Sequence, residues 1–178
     1  IFLNVSNTGT GTANLSWNQV FSPTNPSLSN YYNIYREYPT GNWEIIDSSQ
    51  LLTYQEIITY CNALINYRIG IYDSSGCTSF SNIDGDIFQD INSPAVPFID
   101  SVSVDHNTGQ SIIGWEQSTS GDTEGYIVYQ YIAGIWTPID TVWGINNNFY
   151  SNPMSEPSSD YESYRIAAFD SCFNTSPL

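Results

Sequence analysis

Two stretches almost a hundred residues apart carry the same phrase, "YRIGIYDS" at 67 to 74 and "YRIAAFDS" at 164 to 171. Other matches fall in the same order. "LSW" at 15 to 17 faces "IGW" at 113 to 115, and "YYNIYRE" at 31 to 37 faces "GYIVYQY" at 125 to 131. "GNWEIID" at 41 to 47 faces "GIWTPID" at 134 to 140, so Trp43 meets Trp136 and Asp47 meets Asp140. The offsets stay between 93 and 98 residues. A chain of 178 residues that repeats itself in this way contains two copies of one module, each of which must bury its own core. The boundaries expected are 1 to 90 for the first domain, 91 to 97 for a short linker and 98 to 178 for the second, with its last strand incomplete.

Inside each copy the pattern is that of strands. "YNIYRE" and "YRIAAF" alternate with period two, and turn signals such as "NTGTGT", "SPTNPS", "PTGN", "DSSG", "HNTGQ" and "STSGD" recur every dozen residues or so. Fourteen Tyr, eight Phe and five Trp suit pleated, half-buried surfaces. Many short strands with regular punctuation specify an all-β fold, two tandem β-sandwiches of immunoglobulin-like type.

The anchors refine this. In an antibody-type sandwich the core Trp lies on the third strand between two bridging cysteines. Here the Trp lies on the second strand, no Cys flanks it, and a Tyr opens the sixth. That arrangement resembles the fibronectin type III module, with "LSW" on strand B, Tyr-x-x-Tyr on strand C and Tyr-x-Ile on strand F. The customary Leu-x-Pro-Gly-x-x-Tyr before strand F is replaced by "CNALINY" and "PSSDYESY". The longer pattern "YRI…DSSGCTSFSNIDGDIFQD", followed by a copy ending "YRIAAFDSC.NTSPL", is similar to tandem modules of large secreted Bacteroidetes proteins of the gliding-motility-associated or type IX secretion cargo kind. Where those modules carry Gly after the last Cys, this chain has Phe173. The resemblance implies an extracellular or cell-surface location.

Charge limits the partners. Three Arg, no Lys and eighteen acidic residues give a net charge of -15. Such a chain has no footprint for nucleic acid and no attraction to an anionic membrane, and no apolar run is long enough for insertion. The start "IFLNVSNTGTGT" lacks the pattern of a signal peptide and an initiator Met, which reads as a piece of something longer.

The cysteines come next. Cys61 and Cys77 fall before and after strand F, and their sequence separation suggests a disulfide; closing a loop of about 16 residues would stabilise by about 3 kcal/mol. Such a bridge implies an oxidising compartment, and Cys172 is left as the odd one out, to pair with a neighbouring module or stay a thiol.

No catalytic constellation emerges. The single histidine, His106, sits in a predicted turn without a nucleophile motif, so no enzyme is expected. Asp84, Asp86 and Asp90 in "DGDIFQD" are hard oxygen ligands that would suit Ca²⁺ in the linker, although their spacing misses the EF-hand template. No other cofactor is expected. Trp143, in "TVWGINNNFY", has no counterpart in the first copy and is a ligand candidate, against a packing role. Ser101 and Thr141 lie in Asp-Ser/Thr-apolar triplets that resemble the Bacteroidetes O-glycosylation acceptor. Arg68 and Arg165, between Tyr and Ile on strand F, should point away from the core, toward an acidic cross-strand neighbour or a bound anion.

These readings converge on a non-enzymatic structural or adhesion module, a stalk, spacer or filament-building repeat of a larger secreted or cell-surface protein. Its partners would be neighbouring modules or identical subunits, or surface glycans or proteins. The alternative is a carbohydrate- or protein-ligand-binding module of an extracellular protein.

Overall fold

The computed structural model describes residues 1–20 and 31–178; the turn signal "SPTNPS" lies outside them. Every regular element among the described residues is a β-strand, and none is a helix long and apolar enough to cross a membrane. The chain divides into two compact units, Ile1–Ile91 and Asn92–Leu178.

In unit 1, β1 (Leu3–Asn7), β2 (Thr12–Trp17) and β5 (Thr53–Ile57) form one antiparallel sheet in the order β1-β2-β5. The second sheet runs β4 (Trp43–Ser49), β3 (Tyr32–Glu37), β6 (Ala63–Tyr72) and β7 (Thr78–Phe80), with β8 (Asp84–Phe88) further along the same edge of β6. In strand letters this is A-B-E against C′-C-F-G, with the last strand in two pieces. The fourth strand pairs with C and not with E, which separates the arrangement from the constant-type immunoglobulin sheet order. The alternating residues of both inner faces meet in one core, with Leu3, Leu15 and Trp17 from the first sheet and Ile34, Ile65, Tyr67, Ile69 and Phe88 from the second. The two sheets are also stitched at the open side. The Asp84 carboxylate accepts from the Val5 N–H at 2.7 Å, and Asn82 exchanges two hydrogen bonds with the Leu3 backbone.

Unit 2 repeats the plan. β9 (Ile99–Val104), β10 (Ser111–Trp115) and β13 (Phe149–Asn152) form the A-B-E sheet, and β12 (Ile135–Trp143), β11 (Thr123–Ile132) and β14 (Tyr164–Asp170) form C′-C-F. Its core gathers Ile113, Trp115, Tyr126, Val128, Tyr164, Ile166 and Ala168. Both units are fibronectin type III-like β-sandwiches. Along β14 the chain makes an isolated bridge, Phe169 to Thr175, where unit 1 has β7. With no further strand at that edge among the described residues, Val102 on strand A is 56% exposed, whereas its counterpart by register in unit 1, Val5, is half-buried.

The repeat extends to an irregularity. In β3–β4 the register slips between Ile34 and Tyr35, so that Ile34 faces Asp47 and Tyr35 faces Ile45. In β11–β12 it slips between Val128 and Tyr129, so that Val128 faces Asp140 and Tyr129 faces Pro138. One extra residue on the C′ strand, Ile46 or Ile139, makes a β-bulge and packs against the core in each unit.

Candidate functional site

The repeated polar residues now have assignable work. On the outer face of the C′-C-F-G sheet, the Arg68 guanidinium lies 4.2 Å from the Trp43 ring, 4.2 Å from Phe80 and 5.1 Å from Tyr35. Arg165 lies 4.3 Å from Trp136 in the same way. The repeated arginines point outward as expected, but aromatic faces hold them in place of an acidic cross-strand partner; such contacts are worth about 0.5–2 kcal/mol according to how dry they are. Gly70 makes the unit 1 arrangement possible. A Cβ there would stand 2.8 Å from the Tyr35 ring and 3.0 Å from Phe80, two rings packed edge-on at 5.3 Å.

The repeated aspartates of "WEIID" and "WTPID" are turned by the bulge toward the opposite sheet. Asp47 lies close to the hydroxyl of Tyr54 on β5, and Asp140 close to that of Tyr150 on β13. Burial, with the nearby carboxylate second, raises both phenols above the ordinary tyrosine range. The aspartates that close "YRI…DS" shape the F–G turns. Asp73 Oδ1 accepts from the N–H groups of Ser75 and Cys77, and Asp170 Oδ1 from those of Cys172 and Asn174, two and four residues on in both copies.

The strand F tyrosines, Tyr67 and Tyr164, are core residues whose hydroxyls each find a glutamate. Tyr67 donates to Glu56 at 2.6 Å, and Glu56 also receives Arg36, which is paired with Glu44 as well. Burial first, then the Glu56 charge and hydrogen bond, push the Tyr67 phenol far up. Tyr164 donates to Glu162 at 2.8 Å and accepts from Asn152. Burial opposes ionisation of Glu162, but hydrogen bonds from Ser111, Tyr164 and the Glu156 N–H outweigh it and hold its carboxyl below the usual range. The replaced E–F segments are thus rebuilt around a glutamate in each unit, supplied by strand E in unit 1 and by the loop before β14 in unit 2.

The cysteine expectation is corrected. Cys77 is a free, exposed thiol, while Cys61 and Cys172 are each disulfide-bonded. Cys61 precedes one end of β6 and Cys77 follows the other, across the F–G turn. Ten extended residues rise about 30 Å, whereas a disulfide needs Cα atoms within about 7 Å. Nearness in sequence across a strand is distance in space.

Asp84, Asp86 and Asp90 are not gathered around one point. Asp84 spends its carboxylate on the N–H groups of Val5 and Gly85, Asp86 on that of Ile87, and Asp90 is buried. His106 is exposed in the A–B turn that Asp105 organises by accepting from Asn107 and Thr108. Ser101 and Thr141 are exposed on strands β9 and β12, beside Asp100 and Asp140.

Trp143 differs from the other tryptophans. Trp17 and Trp115 are core, and Trp43 and Trp136 carry the arginines, but Trp143 is 57% exposed at the end of β12. It meets buried Phe169 edge-on at 5.0 Å, and Phe169 stacks in parallel with Phe173 at 6.4 Å. Phe173 is 74% exposed and holds φ = 63°, a left-handed conformation that costs a residue with a Cβ about 1–2 kcal/mol. Gly125 opens room for this cluster, since a Cβ there would lie 2.9 Å from the Phe169 ring. The sequence signals for it are Trp143, which has no counterpart in the first copy, and Phe173 in place of a turn glycine.

No family model matches the chain, and no curated protein matches it. Among solved structures, it is similar to the sixth fibronectin type III domain of human fibronectin type III domain containing protein 3, with 15% identity and a TM-score of 0.43 over 53% of this chain and 87% of that one. The FN1–FN3 domains of chicken CNTN1 give 15% identity and a TM-score of 0.44 over 99% of this chain, which spans 62% of theirs. The fibronectin(III)-like modules of Clostridium thermocellum CbhA give 13% and 0.39, over 99% of this chain and 90% of that one.

Proposed function

We propose that the chain is a non-enzymatic spacer and adhesion segment, a stalk or filament-building repeat of a larger secreted or cell-surface protein. One observation carries the reading: the repeated arginines, the repeated aspartates and the strand F tyrosines are engaged within their own sandwich. Arg68 and Arg165 stack on rings, Asp47 and Asp140 hold a tyrosine across the sheets, Asp73 and Asp170 form turns, and Tyr67 and Tyr164 bind glutamates. Repetition here encodes a building unit and not a duplicated reaction site. Disulfide-bonded Cys61 and Cys172 fit an oxidising compartment, and a charge of -15 keeps a projecting segment soluble. The likeness of the repeated phrases to gliding-motility-associated secretion cargo agrees with that setting.

The test combines the sequence of the parent protein with its location. Additional copies of the module in the parent, and antibody labelling or protease shaving of intact cells, are the expected results. A parent that carries this pair beside a catalytic domain and stays inside the cell would overturn the proposal.

A further inference from the structure

We propose that the ring cluster of unit 2, Trp143 with Phe169 and Phe173, is a binding site for a neutral saccharide. The inference rests on unit 2 alone and stands or falls separately from the spacer reading.

Three observations carry it. First, Phe173 occupies a left-handed backbone position that a glycine would take without strain, and its side chain is 74% exposed. A bulky residue held in a conformation unfavourable to it, with little of its surface covered, gains too little from its own fold to account for its presence; strained residues concentrate where contact with a ligand is made. Second, the exposed rings are not scattered. Buried Phe169 joins Trp143 on one side to Phe173 on the other, at 5.0 and 6.4 Å, and fixes the two exposed rings relative to each other. A prearranged pair of rings offers flat faces for the C–H face of a pyranose at little entropic cost.

Third, the surroundings select the occupant. The turn that follows Trp143 presents Asn146 and Asn147, both exposed and uncharged, and Asn147 Nδ2 is tied to the Trp143 carbonyl at 2.6 Å. Rings bordered by side-chain amides suit a ligand with an apolar face and a hydroxyl rim. The arginine of this unit is placed elsewhere, over Trp136. With no cation at the rings and a net charge of -15, acidic glycans are repelled, and so is a second copy of the chain.

The test is calorimetric titration of residues 1–178 with neutral gluco-, manno-, xylo- and N-acetylglucosamine oligosaccharides and with oligogalacturonate and alginate. Saturable binding of at least one neutral series is expected, weakened tenfold or more in both Trp143→Ala and Phe173→Gly. Phe173→Gly should melt at or above the temperature of the parent chain, which separates lost binding from lost folding. Failure of every neutral series to saturate, binding undiminished in Phe173→Gly, or equally tight binding of the acidic oligosaccharides would each overturn the proposal. So would self-association in sedimentation that Phe173→Gly abolishes while no sugar binds.

Discussion

Replacing Tyr67 by Phe removes one oxygen from the centre of unit 1 and leaves the ring in place. The ring is fully buried and packs edge-on against Phe88, so the core volume hardly changes. What is lost is the 2.6 Å hydrogen bond to Glu56, whose side chain is also mostly covered and whose other oxygen faces Arg36. A hydrogen bond to a charged group is worth about 1.5–3 kcal/mol, and the carboxylate oxygen left behind is too deep to recover it from water. The expected loss is about 2 kcal/mol. For a unit of this size that lowers the melting temperature by about 8–16 °C. Scanning calorimetry should show the loss in one transition, with the other unmoved, because Tyr67 belongs to unit 1 alone.

The pH dependence adds a second reading. The folded state raises the Tyr67 phenol above its unfolded value, so its contribution is complete below about pH 10 and is lost as the pH climbs beyond that. Tyr67→Phe should therefore flatten the alkaline fall in the stability of unit 1. Tyr35, pushed up to about 12 by burial and by the hydroxyl of Tyr72, contributes a share that the substitution leaves in place. A cost below about 0.5 kcal/mol at neutral pH, typical of an ordinary surface change, would refute the claim that the glutamate depends on this hydroxyl.

Three further outcomes are expected. Without reductant, a thiol reagent should label one equivalent of cysteine at Cys77 and leave Cys61 and Cys172 unmodified; labelling at either of the latter would contradict the assignment. Gly85→Ala should destabilise unit 1 strongly, because a Cβ would stand 2.2 Å from the Ile65 carbonyl oxygen, whereas Gly121→Ala, with nothing within 4 Å, should be nearly neutral in the same melt. Glu162→Gln should remove part of the acid sensitivity of unit 2. The carboxyl of Glu162 is held below its ordinary value, so its stabilisation is present above about pH 4.5 and is lost as the pH falls; an unchanged acid limb would argue against the Ser111–Glu162–Tyr164 group.

The parts legible in the sequence were those written in period and repetition. Trp17 and Trp115, Tyr67 and Tyr164, and the outward direction of Arg68 and Arg165 follow from alternation within strands that occur twice. The partners of these residues were not legible, because they are set by register between distant strands. A search by charge looks for a carboxylate beside Arg68. The ring of Trp43 reaches it only because β4, β3 and β6 align as they do. The glutamate partners of the two tyrosines occupy unrelated sequence positions, 56 and 162, so no alignment of the copies exposes them. Cys61 and Cys77 show the opposite case: residues close in sequence are held far apart in space, because a fully extended strand separates them. At Trp143 the sequence isolated the residue but not its company, since Phe169 and Phe173 arrive from strand F and its turn.

The bulge at Ile46 and Ile139 acts as a spacer rule. It sends the tryptophan of each C′ strand to one face of its sheet and the aspartate four residues later to the other, where an even count on a regular strand would leave both on the same side. Loss of one residue from "WEIID" or "WTPID" would detach the tryptophan from its arginine or the aspartate from its tyrosine, even with every amino-acid type kept. The interval is therefore harder to vary than the letters inside it. Divergent copies of this module should be found by counting, with Trp and Asp four apart and Tyr-Arg-Ile followed by an Asp six residues after the Tyr, where a search by overall identity would pass them over.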